Sequence, residues 1–293
     1  MRDKFIESLI EMAKENNKVI LIVGDLGFSV VEPFQEKFPD RFINAGICEQ
    51  NMTSLAAGMA KEGFKVFIYS IGNFPTFRAA EQIRNDVCYH NLDVTIVTVG
   101  GGLAYGNLGY SHHAIQDYGL MRLFPEMTII SPGDPNEVES CMKFIASITT
   151  PKYLRLRKSG ENNFTTIDLD LKPGIWRPVL VNDPKKIFLT TGYGMQLAIN
   201  QIHNNAIYKD YSIYSCPIWG QNYNEIQLGQ LEKFDQVISV EDHLKDCGFG
   251  SWLLENTISS SILSNTYISN KVVGKVGDEN HLTKFLSTDN YKN

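Results

Sequence analysis

Phe5, Ile6, Leu9, Ile10 and Ala13 recur at three- and four-residue spacing, the period of one helix face. An unbroken apolar run follows: Val19, Ile20, Leu21, Ile22 and Val23. Such a run suits a strand buried on both faces, as in a parallel sheet. The alternation then repeats. A helix expected around residues 50–61 precedes an apolar run at 66–69, and one around 74–89 precedes another at 94–99. Residues 127–130 form a further run and lead into a helix opening at Pro135. Strands alternating with helices predict right-handed crossovers and an α/β sheet covered on both sides.

A polar, proline-containing stretch at 157–178 breaks this pattern. A second α/β pattern follows, with strands at 187–189, 211–214 and 237–240 and helices near 195–208 and 250–258. No internal repeat relates the halves. The expected organisation is two three-layer α/β/α domains with mostly parallel sheets, at 1–160 and 181–293, joined by a linker at 161–180. In such sheets ligands bind beyond the carboxyl ends of the strands. That directs attention to residues 24–29, 44–51, 70–77, 100–117 and 131–135, and in the second domain to 191–195 and 241–250.

Composition narrows the function class. The chain has 293 residues, of which 43% are hydrophobic and 20% charged, which excludes a disordered or low-complexity protein. A net charge of -6 without a basic block makes it a poor partner for nucleic acid or an anionic membrane. No apolar run is long enough to span a bilayer, and the N-terminus reads as an amphipathic helix rather than a signal peptide. Five cysteines without a CxxC pair suit a reducing compartment, so a cytoplasmic address is expected.

Several of the strand-end segments carry chemistry-bearing residues. Glu49 follows a glycine turn and opens a helix, where a carboxylate complements the helix dipole and can also serve a ligand. Phe74 and Phe77 are three apart on one helix, which fits a core face as well as an aromatic pocket. The glycine-rich segment 100–117 is the most informative, because long loops inside compact α/β domains are usually functional. Its adjacent His112 and His113 lack a companion cluster of metal ligands, so no metal is assigned. A histidine on a glycine-bounded loop suits proton transfer or hydroxyl binding better.

The segments FINAGICEQNMTSLAAGMAKEG, YSIGNFPTFRAAEQIRNDVCY and GYSHHAIQDYGLMRLFPEM, in that order, resemble the pyrimidine-binding domain of transketolases. VISVEDHLKDCGFGSWLLE is similar to their C-terminal domain. The resemblance implies thiamin diphosphate as cofactor. It assigns Glu49 to N1′ of the aminopyrimidine, where a shared proton favours the imino form, and Ile71, Phe74 and Phe77 to the face of that ring. His112 matches the substrate-loop histidine, and Arg2, Ser29 and Arg157 match positions that hold substrate phosphate. Arg155 competes with Arg157 for its place.

Two departures weaken the link to ordinary sugar-phosphate acceptors. Gly100, Gly101 and Gly102 stand where the family has a second histidine, and Leu108 where it has an aspartate. A GDG…N segment for Mg2+ and diphosphate is also missing; residues 24–27 read Gly-Asp-Leu-Gly instead. The resemblance therefore implies the second half of a split enzyme that transfers a two-carbon ketol unit from a ketose or ketose phosphate to an aldehyde. Its partner would be an N-terminal subunit carrying the diphosphate and Mg2+ domain, in a dimer of heterodimers. Competing readings are the β-subunit of a 2-oxo acid dehydrogenase E1 component and a deoxyxylulose-phosphate-synthase-like half. A non-catalytic regulatory subunit that keeps the fold is the alternative of another class. Glu241, Asp242 and His243 suit an interface, a cation site or a solvated strand end equally.

Overall fold

The apolar runs at 19–23 and 94–99 become inner strands of the first of two sheets, in a computed structural model that describes residues 1–257 and 262–290. Its strands are β1 (Val19–Val23), β2 (Phe42–Asn44), β3 (Lys65–Ile71), β4 (Val94–Val99), β5 (Thr128–Ile130) and β6 (Lys152–Arg155). They run parallel in the order β5-β6-β4-β3-β1-β2. Between them lie α1 (Arg2–Glu15), α2 (Glu32–Lys37), α3 (Glu49–Lys61), α4 (Asn73–Arg78), α5 (Ala80–Gln82), α6 (Asp117–Met121) and α7 (Pro135–Ser147). Alternate residues of β1 serve opposite layers. Ile20 and Ile22 share a core with Met52 and Ala56 of α3, whereas Val19, Leu21 and Val23 share one with Phe5 and Leu9 of α1 and Ile145 of α7. This two-sided burial is why the run has no polar position.

The second sheet has the order β13-β12-β11-β8-β9-β7, parallel within β12-β11-β8-β9 and antiparallel at both edges. Its strands are β7 (Arg177–Leu180), β8 (Lys186–Thr190), β9 (Ser212–Ser215), β11 (Gln236–Leu244), β12 (Leu263–Ile268) and β13 (Leu286–Asn290), with α8 (Gly194–Asn204), α9 (Glu225–Leu231), α10 (Phe249–Glu255) and α11 (Glu279–Leu282). The two α/β units are not independent. Strand β10 (Ile218–Trp219) follows β9 in the chain yet pairs antiparallel with β5, completing the first sheet as its edge. Trp219 then meets Tyr118 edge-on at 5.2 Å and packs on Phe249 and Trp252 at 5.2 and 5.3 Å. Aromatic pairs of this kind contribute about 0.5–1.5 kcal/mol each beyond area burial.

Some expected elements differ. The helix expected at 74–89 breaks at Ala79 (φ −109°, ψ 20°), resumes as α5 and widens over residues 83–88 into a π-helical turn. Ile83, Val87 and Cys88 are buried in this turn. The helix at 195–208 ends at Asn204, and Asn205 takes an extended conformation and caps a short 3-10 turn. The helix at 250–258 spans Phe249–Glu255, and residue 258 lies outside the described residues. Within the expected linker, residues 177–180 are strand β7, and Leu171 and Trp176 are buried. Trp176 donates from Nε1 to Gln227 Oε1 at 2.8 Å, so this connection is packed rather than loose.

The units meet through the carboxyl ends of their strands. Gly192, after β8, donates its N–H to Ser131 O at 2.9 Å, and Leu244 of β11 donates to Ile115 O at 2.9 Å. The loops after β4 and β5 are thereby covered by the chain's own second unit. Among the described residues the loops after β1 and β2 have no such cover: Phe28 is 75% exposed and Ile47 70%.

Candidate functional site

Glu49 opens α3 just beyond the bare end of β2. Asn44 shapes the turn that places it, accepting at Oδ1 from the N–H groups of Asp25 (3.2 Å) and Gly46 (3.0 Å) and donating from Nδ2 to Asp25 Oδ1 (2.9 Å). Gly46 has φ +73°, a conformation that glycine adopts without strain. Glu49 is only 4% exposed. Arg78 Nη1 donates to its two oxygens at 3.0 and 3.2 Å. Arg78 is half exposed, so the pair sits at the mouth rather than the floor of the site.

Arg78 also lies over the Phe74 ring, 4.6 Å from its centroid. Phe74 and Arg78 are four apart on α4 and share a face; Phe77, three on from Phe74, is 47% exposed and turns outward. Ile71, the last residue of β3, is half-buried against the core. His112 also meets Phe74, with ring centroids 5.2 Å apart in an edge-on arrangement. Asn73 Nδ2 ties the histidine loop to α4 by donating to Ser111 O (3.1 Å) and His113 O (3.0 Å). Partial burial, with the neighbouring His113, holds the His112 imidazole below its ordinary pKa. Glu49, Arg78, Phe74 and His112 thus form one connected row. Among the described residues, buried Ser70 Oγ and Asn73 Oδ1 have no hydrogen-bond partner.

The three residues expected at a phosphate are less closely gathered. Arg2 does not fray: the Met1 ammonium pairs with Glu161 at 2.8 Å, and Arg2 N–H donates to Lys158 O at 3.3 Å. Its Nε is buried without a partner. Arg157 is buried, lies over the Tyr193 ring at 3.2 Å and pairs through Nη2 with Glu279 of α11, leaving Nε and Nη1 unpartnered. Ser29 is exposed at φ +65° and donates its N–H to Glu32 Oε1 (2.8 Å). Arg155, the competitor for Arg157's place, is fully engaged elsewhere: it donates to Asp117, Tyr118, Asp242 and Ala114 O.

Glu241, Asp242 and His243 are all buried, so they form no solvated strand end. Glu241 accepts from the N–H groups of Phe249 and Gly250 at the start of α10 and from Asn265 Nδ2. His243 Nε2 accepts from Gly119 N–H at 3.4 Å, and its ring stacks on Tyr118 at 5.1 Å. Among the described residues no group of three or more His, Cys, Asp or Glu side chains converges on a point where a metal could bind.

A doubly wound parallel sheet with a buried carboxylate, an aromatic ring and a histidine at its carboxyl edge defines an α/β ligand-binding domain. The family described as the transketolase pyrimidine-binding domain matches residues 1–161. A Methanocaldococcus jannaschii protein, named provisionally as a transketolase C-terminal section, is 32% identical over 298 residues, covering 99% of this chain and 92% of its own. A Clostridium perfringens 1-deoxy-D-xylulose-5-phosphate synthase is 32% identical over 264 residues; the match takes in 86% of this chain and only 41% of the synthase. One of the subunits of the Phocaeicola vulgatus apulose-4-phosphate transketolase is 33% identical over 160 residues, 54% of this chain and 51% of its own length. Among solved structures, a split-gene transketolase described as an inactive β4 tetramer superposes with a TM-score of 0.78 at 28% identity, covering 92% of this chain and 88% of its own. The chain belongs to the transketolase family.

Proposed function

We propose that this chain is the pyrimidine-binding subunit of a two-chain, thiamin diphosphate-dependent transketolase, moving a two-carbon ketol unit from a ketose or ketose phosphate to an aldehyde. The observation that carries the reading is the half-covered carboxyl edge. The buried Glu49 carboxylate and the Phe74 ring lie where that edge is bare, flanked by exposed Phe28, Ile47 and Phe77. An apolar rim of this kind around buried charge suits a second subunit.

The residues present fit an aminopyrimidine. A carboxylate, an aromatic face and the unpartnered Ser70 Oγ and Asn73 Oδ1 match a flat ring that carries both donors and acceptors. When bound, the cofactor supplies the carbon nucleophile that carries the two-carbon unit. Glu49 shares a proton at the ring's N1′ nitrogen, and Phe74 fixes the ring plane. His112, its pKa lowered by partial burial, binds a substrate hydroxyl and accepts its proton. Arg2 and Arg157, with unpartnered guanidinium nitrogens, serve a substrate phosphate. The diphosphate end and its Mg2+ belong to an N-terminal partner, in a dimer of heterodimers.

No helix among the described residues is long and apolar enough to cross a membrane. All five cysteines are free, which suits a reducing, cytoplasmic setting. The synthase likeness over 264 residues favours one second reading, a deoxyxylulose-phosphate-synthase-like half. Co-expression with the N-terminal partner and an assay of two-carbon transfer with thiamin diphosphate and Mg2+ tests the first reading. Ketose-dependent transfer that falls about 100- to 10,000-fold in Glu49→Gln supports it. Undiminished transfer in that variant refutes the role of Glu49. Pyruvate consumption with an aldehyde acceptor points instead to the synthase type, and with a lipoyl acceptor to the dehydrogenase type. No turnover of any donor leaves the non-catalytic reading.

A further inference from the structure

The second unit grips the histidine loop from end to end. Gly102 N–H donates to Ala114 O at 2.9 Å, closing residues 102–114 into a bridge-locked loop with His112 two residues before the closing Ala114. Arg155 sits beneath that bridge. It donates from Nη2 to Ala114 O (2.6 Å), from Nε to Asp117 Oδ2 (2.7 Å) and from Nη1 to Asp242 Oδ1 (2.6 Å). From the other side, β11 follows the loop: Leu244 donates to Ile115 O, and His243 accepts from Gly119 N–H.

The glycines that read as a loss in the sequence acquire a purpose here. A Cβ on Gly101 would lie 2.9 Å from the Arg155 guanidinium carbon, and one on Gly102 would lie 2.1 Å from Asp242 Oδ2. Gly102 also has φ +65°, so side-chain-bearing residues are excluded twice. The run of glycines lets the loop backbone press directly onto a buried ion pair contributed by both units.

We infer that Asp242 is a positioning residue: through Arg155 and Gly102 it fixes the 100–117 loop, and with it the place of His112 over Phe74. This deepens the transketolase reading and rests on it for the role of His112; the mechanical link from Asp242 to the loop does not. Preorganisation of this kind matters because a misplacement of about 1 Å can cost about 100-fold in rate.

The test is Asp242→Ala in the full chain, read by amide hydrogen exchange, and in the assembled two-chain enzyme, read by kinetics. Exchange across residues 102–116 is expected to rise on the order of 10-fold while β3 and β8 stay protected, as for local opening. The kcat is expected to fall about 10- to 100-fold with cofactor affinity kept, and to fall no further when Asp242→Ala is added to His112→Ala. Gly102→Ala, which intrudes on the same carboxylate from the loop side, must give the same exchange pattern and serves if Asp242→Ala does not fold. Unchanged loop exchange, or an equal further loss of kcat in the His112→Ala background, overturns the proposal. If the assembled wild-type enzyme transfers no two-carbon unit, the transketolase reading fails, and the exchange result still decides the link to the loop.

Discussion

Arg78 Nη1 bridges the two carboxylate oxygens of Glu49, at 3.0 and 3.2 Å, and the same guanidinium covers Phe74. One side chain therefore holds both groups that would meet an aminopyrimidine. Arg78→Ala leaves a buried carboxylate without its cation. Because the arginine is half exposed, the stability cost is about 1 kcal/mol, seen as a lower urea midpoint at unchanged slope. Activity of the assembled enzyme should fall with it, since Glu49 and Phe74 lose their common brace. An unaltered rate would show that Arg78 is displaced when the site is complete.

The protonation of His112 gives a pH signature. Partial burial, with the neighbouring His113, lowers its pKa from the ordinary 6.5, so the imidazole takes up its proton at a lower pH than a free histidine does. The pH–rate profile of the assembled enzyme should carry an acid limb below that value. His112→Asn should lower kcat and abolish the limb. An identical limb in the variant would assign it to another group.

A second pH effect concerns stability at the junction of the units. Glu137 of α7 is fully buried and accepts from Gly133 N–H at 2.8 Å, with Arg177 of β7 no nearer than 3.8 Å. Burial pushes its carboxyl up to about 7 from an ordinary 4.5. Between those values the folded chain keeps a proton that the unfolded chain has released. Its stabilising effect is therefore complete below about pH 4.5, declines as the pH rises toward 7, and levels off above it. Glu241 is displaced in the same direction, also to about 7, by burial. Urea midpoints across this window should fall less steeply with rising pH in Glu137→Gln than in the natural chain. Parallel curves would contradict the assignment.

Much of this architecture is written locally. The apolar run of β1 and the turn chemistry of Asn44 and Gly46 are short-range signals, and they place the strand and the Glu49 loop where the structure has them. The position of Arg78 was readable in principle, since it stands one helical turn beyond Phe74. Its partner Glu49 was not, being 29 residues away on another helix. The same holds for Arg157, whose pairing with Glu279 spans 122 residues, and for β10, which joins a sheet assembled from a different part of the chain. Asp242 stands in a segment whose sequence suits several roles; only its approach to Gly102 and Arg155 resolves what it does. Long-range pairings leave no period in the sequence, so hydrophobic patterning does not register them.

On the proposed function, this chain supplies one wall of a cofactor site and a partner supplies the other. Calorimetric titration of thiamin diphosphate with Mg2+ into the isolated chain, the isolated N-terminal partner and the mixture of both tests it most directly. No saturable binding at micromolar cofactor is expected for this chain alone, and stoichiometric binding is expected for the mixture. Stoichiometric micromolar binding to the isolated chain would contradict it.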